Sequence, residues 1–231
     1  MMTLAERFGA IGKPSPFQIP GMTRLDLARL FTESGYREGA EIGVFVGEYA
    51  EVLCRTNPRL HLRCVDSWAW SRQGERGHWN TYFGSKHHGR PYKIHERNYA
   101  AAVKRLAPYP GVEIMRMLSH QAAAKVSDGS LDFVYIDAEH TYEACLADLR
   151  AWSPKVRSGG IVSGDDYRYV DPRRSKRWKP AFRGVNQAVE EFAGAQGLTE
   201  WFFTSDTTRK ILGVLYNQPG RAFPSFFWMQ P

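Results

Sequence analysis

Two apolar segments, each ending in acid, constrain this chain most. LDFVYID (131–137) and GGIVSGD (159–165) both read as buried strands, and the second runs straight into another aspartate. AEIGVF (40–45), LHLRCVD (60–66) and VEIMRM (112–117) are strands of the same kind. Helical patterns fall at 23–34, 47–56, 94–107, 119–126, 141–154 and 185–197. Strands alternating with helices predict an α/β fold, a mostly parallel sheet with right-handed crossovers and helices on both faces. TEWFFTS (199–205) and KILGVLYN (210–217) predict a C-terminal hairpin antiparallel to the rest.

The 231 residues are 43% hydrophobic, enough for one well-packed domain. Residues 1–21 are rich in Pro and Gly and read as an irregular arm, and 22–231 read as a single domain with no repeat and no long linker. Two segments break the alternation. An insert at 67–93 contains Trp68, Trp70, Trp79, Tyr82, Phe83 and three histidines, which suits a lid over a site. A basic loop at 168–183 holds much of the excess behind the formal net charge of +7. No stretch approaches the roughly 20 apolar residues of a membrane span, and the start lacks a secretory apolar core. Cys54, Cys64 and Cys145 are isolated and form no CxxC pair. A cytoplasmic protein with reduced cysteines is expected. The arm and the apolar tail at 222–229 offer surfaces for a homo-oligomer.

The chemistry gathers at the strand ends. In an open α/β sheet these ends face the ligand crevice. Glu41, Gly43 and Gly47 form a strand-to-helix turn where glycine lets backbone approach a ligand and the helix offers free N–H groups. Without a ligand the same residues are simply a tight turn. Asp66 closes the next strand, 25 positions after Glu41 (66 − 41), where an acid can accept hydrogen bonds from ribose hydroxyls. Asp137, Asp165 and Asp166 converge from neighbouring strands. Clustered carboxylates either raise each other's pKa or bind a cation, and a hard ion such as Mg²⁺ suits an oxygen set. Capping of the next helix is the plainer alternative for Asp165 and Asp166. His140, just past the end of its strand, titrates near neutrality and suits proton abstraction, or else orients an aspartate.

EIGVFVG, the VD at 65–66, LDFVYIDAEHTYE and PKVRSGGIVSGDDY together resemble class I S-adenosylmethionine-dependent methyltransferases. More narrowly they resemble the bacterial metal-dependent group that includes macrolide-sugar and aminocoumarin-sugar O-methyltransferases, with catechol O-methyltransferases more distant. The resemblance covers about residues 22–217. It implies a Rossmann-like, seven-stranded sheet with one antiparallel strand. It also implies that Glu41, Gly43 and Gly47 hold the methionine end of S-adenosylmethionine, that Asp66 takes the ribose and that Ser119 lies against the adenine. Asp137, Asp165 and Asp166 match metal ligands, with Asp137 also beside the cofactor, and His140 matches a catalytic base. Phe45 departs from the pattern, since many class I enzymes have a further glycine there.

The expected activity is O-methylation of a hydroxyl on a small molecule, a sugar or natural product, with no membrane partner. Two rival readings stand beside it. The net charge and basic loop favour a nucleic-acid or nucleotide methyltransferase, against which there is no NPPY-like motif. Against a non-catalytic, cofactor-binding scaffold stand Glu41, Asp66, Asp137, His140, Asp165 and Asp166 together.

Overall fold

The computed structural model describes residues 3–69, 91–167, 179–205 and 224–231. Its strands are β1 (Phe17–Gln18), β2 (Glu38–Ile42), β3 (His61–Asp66), β4 (Val112–Arg116), β5 (Leu131–Ile136), β6 (Val156–Gly164), β7 (Phe202–Phe203) and β8 (Phe226–Met229). Its helices are α1 (Leu4–Arg7), α2 (Arg24–Glu33), α3 (Glu48–Thr56), α4 (Pro91–Leu106), α5 (Ser119–Ala123), α6 (Tyr142–Trp152) and α7 (Lys179–Ala195). All eight strands form one sheet in the order β1-β7-β8-β6-β5-β2-β3-β4. Every neighbouring pair is parallel except the two that involve β8, which runs against β6 and β7.

The period-two alternation of the strands divides the core in two. Cys64, Phe133, Tyr135 and Phe227 face a layer containing Leu27, Phe31, Tyr49, Leu53 and Leu106, from α2, α3 and α4. Val65, Val134, Ile136 and Trp228 face the opposite layer, with Leu149, Trp152, Val189 and Phe192 from α6 and α7. Helices therefore cover both faces, as the apolar residues buried on each side require.

The helix ends follow local chemistry. Thr23 caps α2 by accepting the Asp26 N–H, and Asp26 returns the bond to the Thr23 N–H at 2.9 Å. Thr141 caps α6 through the Ala144 N–H. Pro91 stands first in α4, where its missing N–H costs no helical bond.

Three findings differ from the sequence expectation. The arm is not irregular throughout: α1 forms, β1 pairs with β7 as an eighth strand, and Leu4, Ala5, Ala10 and Ile19 are buried in the core. The antiparallel partner of β7 is the tail strand β8, because Phe226, Phe227 and Trp228 are apolar on both faces and fit a central position. The expected partner at 210–217 lies outside the described residues, as do positions 70–90 of the insert and 168–178 of the basic loop. The last turns of that loop begin α7. Both the arm and the tail thus pack within their own chain. Among the described residues no helix is long and apolar enough to cross a membrane.

The chain runs outward through β2, β3 and β4, then returns to lay β5 on the other side of β2. The reversal lies between β2 and β5, and the carboxyl ends of that pair open onto the ligand crevice of such sheets.

Candidate active site

The turn after β2 is built almost entirely from unusual backbone. Gly43, Phe45 and Gly47 have φ of 93°, 53° and 79°, all left-handed. Gly43 is required for a second reason. A Cβ on it would lie 2.0 Å from the carbonyl oxygen of Asp137, so β2 and β5 touch backbone to backbone at the reversal. Strained turns persist only when their surroundings hold them. Asp66 Oδ2 accepts the N–H groups of Val44 at 3.1 Å and Phe45 at 2.9 Å. Its Oδ1 accepts the Trp68 N–H at 2.7 Å, and the Trp68 indole N–H donates to the Phe45 carbonyl at 2.7 Å. Arg105 Nε donates to the Val46 carbonyl at 2.9 Å. Asp66 thus sits at the turn and organises it. Burial pushes its carboxyl up despite the three amides that favour its charge.

Glu41 lies beneath this turn, only 2% exposed, and its Oε2 has no hydrogen-bond partner among the described residues. Burial drives its carboxyl well above the ordinary value, and Asp137 adds to this. Arg24 and the Ala50 N–H work the other way.

At the ends of β5 and β6 the acids divide into two groups. His140 Nε2 stands 3.3 Å from Asp137 Oδ1 and 3.2 Å from Asp166 Oδ2. One ligand atom from each of Asp137, His140 and Asp166 lies within 4.8 Å of the others. Asp166 adopts a left-handed backbone, φ 59°, and its buried Oδ1 has no partner among the described residues. Burial alone would depress the His140 imidazole, but Asp166, Asp137 and Asp165 raise it to about 9. The flanking acids therefore favour the charged imidazole against its burial.

Asp165, expected beside Asp166, turns elsewhere. Its Oδ2 forms an ion pair with Arg24 Nη2, and Ser225 Oγ donates to its Oδ1 at 3.4 Å. The two adjacent carboxylates thus take different partners. Arg24 also lies 5.7 Å from the Tyr49 ring centroid, and the Tyr49 hydroxyl donates to the Arg24 carbonyl at 3.1 Å. Arg24 did carry a sequence signal. A cation in the first turn of a helix opposes the helix dipole, so something else must hold it there.

Ser119 is the first residue of α5, and its hydroxyl is already engaged. It donates to Asp148 Oδ1 at 2.5 Å and accepts from the Trp152 indole at 2.9 Å. Burial raises the Asp148 carboxyl to about 6, while the Ser119 bond and His120 oppose this. A raised acid pKa means that the folded state holds the proton more tightly than the unfolded chain. Stability is then lost as pH climbs from about 4 to about 6. Asp148→Asn keeps an acceptor for Ser119 and removes this titration. Urea unfolding at several pH values should show it gaining on wild type over that range, by roughly 2–3 kcal/mol for about two pKa units. Parallel curves would refute the assignment.

A sheet reversal with a glycine-bearing turn on one side and acids plus a histidine on the other suits group transfer from a bound cofactor. Comparison with known proteins agrees. A protein-family profile described as a methyltransferase domain matches residues 40–167, more than half of the chain. No curated protein matches significantly. Solved structures share the fold at low identity. An O-methyltransferase from Bacillus cereus in complex with SAH is 15% identical, with a TM-score of 0.55, covering 96% of this chain and 87% of that one. The O-methyltransferase TomG from Streptomyces achromogenes, involved in tomaymycin synthesis and solved with SAM, is 16% identical, with a TM-score of 0.53, covering 92% and 83%. A candidate rRNA methylase from Clostridium thermocellum is 12% identical, with a TM-score of 0.54, covering 90% and 95%. The match over residues 40–167 places this chain in the methyltransferase-domain family, and its sheet, with one antiparallel strand among the described residues, has a Rossmann-like class I fold.

Proposed function

We propose that this protein is an S-adenosylmethionine-dependent O-methyltransferase that uses a divalent cation, Mg²⁺ or similar, to methylate a hydroxyl of a small molecule such as a sugar or natural product. The observation that carries the reading is the buried, unpartnered Oδ1 of Asp166, set beside Asp137 and His140. A buried acceptor without a donor is costly, and a cation would satisfy it. Asp137 and Asp166 would hold that ion. Asp165 would reach it only by giving up its ion pair with Arg24.

S-adenosylmethionine, when bound, supplies a methyl group on a positively charged sulfur, and the divalent cation, when bound, acidifies and orients the acceptor hydroxyl. The chain's own residues do the rest. The 43–47 turn offers backbone for close approach, and Glu41 Oε2 offers an unused acceptor to the cofactor's amino group. Asp66 would accept the ribose hydroxyls and Ser119 would lie against the adenine, as the family resemblance implies. His140 Nε2 takes the hydroxyl proton once the charge of its neighbouring acids is balanced, which returns its pKa toward the ordinary range.

Calorimetry tests this directly. S-adenosylmethionine should bind wild type and Asp165→Ala/Asp166→Ala alike, whereas Mg²⁺ should give heat only with wild type and none in EDTA. Cofactor binding without any Mg²⁺ response, in the presence of a methylatable acceptor, would remove the metal from the reading. No cofactor binding would remove the methyltransferase activity.

A further inference from the structure

We infer that Arg105, on α4, is a positioning residue for the cofactor turn and sets the affinity for the cofactor. The inference rests on the methyltransferase reading above. Its observations are all outside the acid cluster. Arg105 reaches across from α4 with three different groups. Nε donates to the Val46 carbonyl at 2.9 Å, Nη1 to Glu51 Oε2 at 2.8 Å, and Nη2 lies 3.8 Å from Glu48 Oε1. One planar guanidinium therefore joins the turn, the first helical turn of α3 and α4.

The need for it follows from the backbone. Three of the five residues at 43–47 are left-handed, and two of these flank Val46. Other polar groups of the turn are held without Arg105. Asp66 takes the Val44 and Phe45 amides, Trp68 takes the Phe45 carbonyl, the Gly43 N–H goes to the Val65 carbonyl, and the Gly47 N–H returns to Val44. The Val46 carbonyl is the one turn acceptor that Arg105 alone secures among the bonds described here. Freed, the Val46 peptide can rotate, and with it the N–H groups that open α3 toward the crevice. Arg105 is only 30% exposed on its side chain. Its fork geometry is what lets one side chain serve a carbonyl and a carboxylate together, which the single ammonium of lysine does less well.

The test uses the full chain and S-adenosylhomocysteine as the probe, by calorimetry. Arg105→Met keeps the apolar stem and removes the donors, Arg105→Lys restores one donor, and Glu51→Gln breaks the ion pair while leaving the Val46 bond. The expected order is a loss of about tenfold or more in affinity for Arg105→Met, a partial recovery for Arg105→Lys, and no more than about a twofold change for Glu51→Gln. Thermal midpoints without ligand should fall in both variants, and further in Arg105→Met, which loses the Val46 bond and the Glu48 contact as well as the Glu51 ion pair. Unchanged affinity in Arg105→Met, or equal losses in Arg105→Met and Glu51→Gln, would reduce Arg105 to a helix-to-helix contact and overturn the proposal. Failure of wild type to bind the probe would instead strike the methyltransferase reading, and this proposal with it.

Discussion

Asp166→Asn should lower methyl transfer by roughly a thousandfold with Mg²⁺ present, and should abolish divalent-cation binding. Asparagine tolerates the left-handed backbone that position 166 requires, so the chain path should survive. What disappears is the negative charge that faces His140 and carries the unpartnered oxygen. A bound cation is worth several kcal/mol of charge stabilisation, and each ~1.4 kcal/mol is a factor of ten in rate. Initial rates together with Mn²⁺ paramagnetic resonance decide it. A rate within tenfold of wild type, with Mn²⁺ still bound, would end the role assigned to Asp166.

The same variant has a pH signature. In wild type without metal, His140 is held at about 9 in spite of its burial, mainly by Asp166 and then by Asp137. A folded-state pKa above the ordinary value contributes stability that is complete below about 6.5 and is lost as pH rises through 9. Melting in EDTA should therefore weaken between pH 7 and 9 in wild type. In Asp166→Asn the window should contract toward neutrality, because the first of the raising charges is gone. Identical pH curves for the two proteins would contradict the pairing.

Gly43→Ala is expected to be the most damaging single methyl group in this part of the fold. The added Cβ would stand 2.0 Å from the Asp137 carbonyl oxygen and 2.4 Å from its carbon, both backbone atoms that cannot swing aside. The left-handed φ of 93° adds its own cost. Overpacking of about 1–3 kcal/mol and a left-handed penalty of about 1–2 kcal/mol suggest a loss of roughly 3 kcal/mol or more. The turn and Asp137 would also separate, so S-adenosylhomocysteine binding should disappear from calorimetry. Gly35→Ala is the control. It shares a left-handed φ, 73°, but its Cβ would meet nothing within 4 Å. Only the backbone term, about 1 kcal/mol, is expected there. Equal losses at the two positions would show that strain, not contact, governs Gly43.

Much of this could be read from the chain because the signals are local. Mainly apolar runs marked the five strands β2 to β6, and Gly43 with Gly47 marked the turn between β2 and α3. Glu41, Asp66, Asp137, Asp165 and Asp166 fell at strand ends, where the parallel sheet had to gather them. The partnerships did not follow from position. Asp165 and Asp166 are adjacent, yet one pairs with Arg24, 141 positions away, and the other with His140. Asp166 also takes a left-handed backbone, and an aspartate at that point gives no warning of it. Arg105 was equally silent, since a basic residue in the last turn of a helix is ordinary dipole chemistry. The β8 strand was hidden by its neighbours. FFWM reads as apolar tail until the gap between β6 and β7 is known.

That gap has a kinetic meaning. Strands β2 to β6, with Glu41, Asp137, His140 and Asp166, are complete by residue 166, whereas β7 and β1 meet the sheet only through β8. Residues 226–229 therefore act as the keystone of an arch, and Ser225 beside them touches Asp165 and Tyr135. Synthesis from the amino end would produce the reacting groups long before the piece that locks them. Until that piece arrives, the apolar edge of β6 lies open to other chains. A polypeptide cut short before residue 225 is in that sense an unfinished sheet with a finished set of acids, a species for chaperones and proteases to clear.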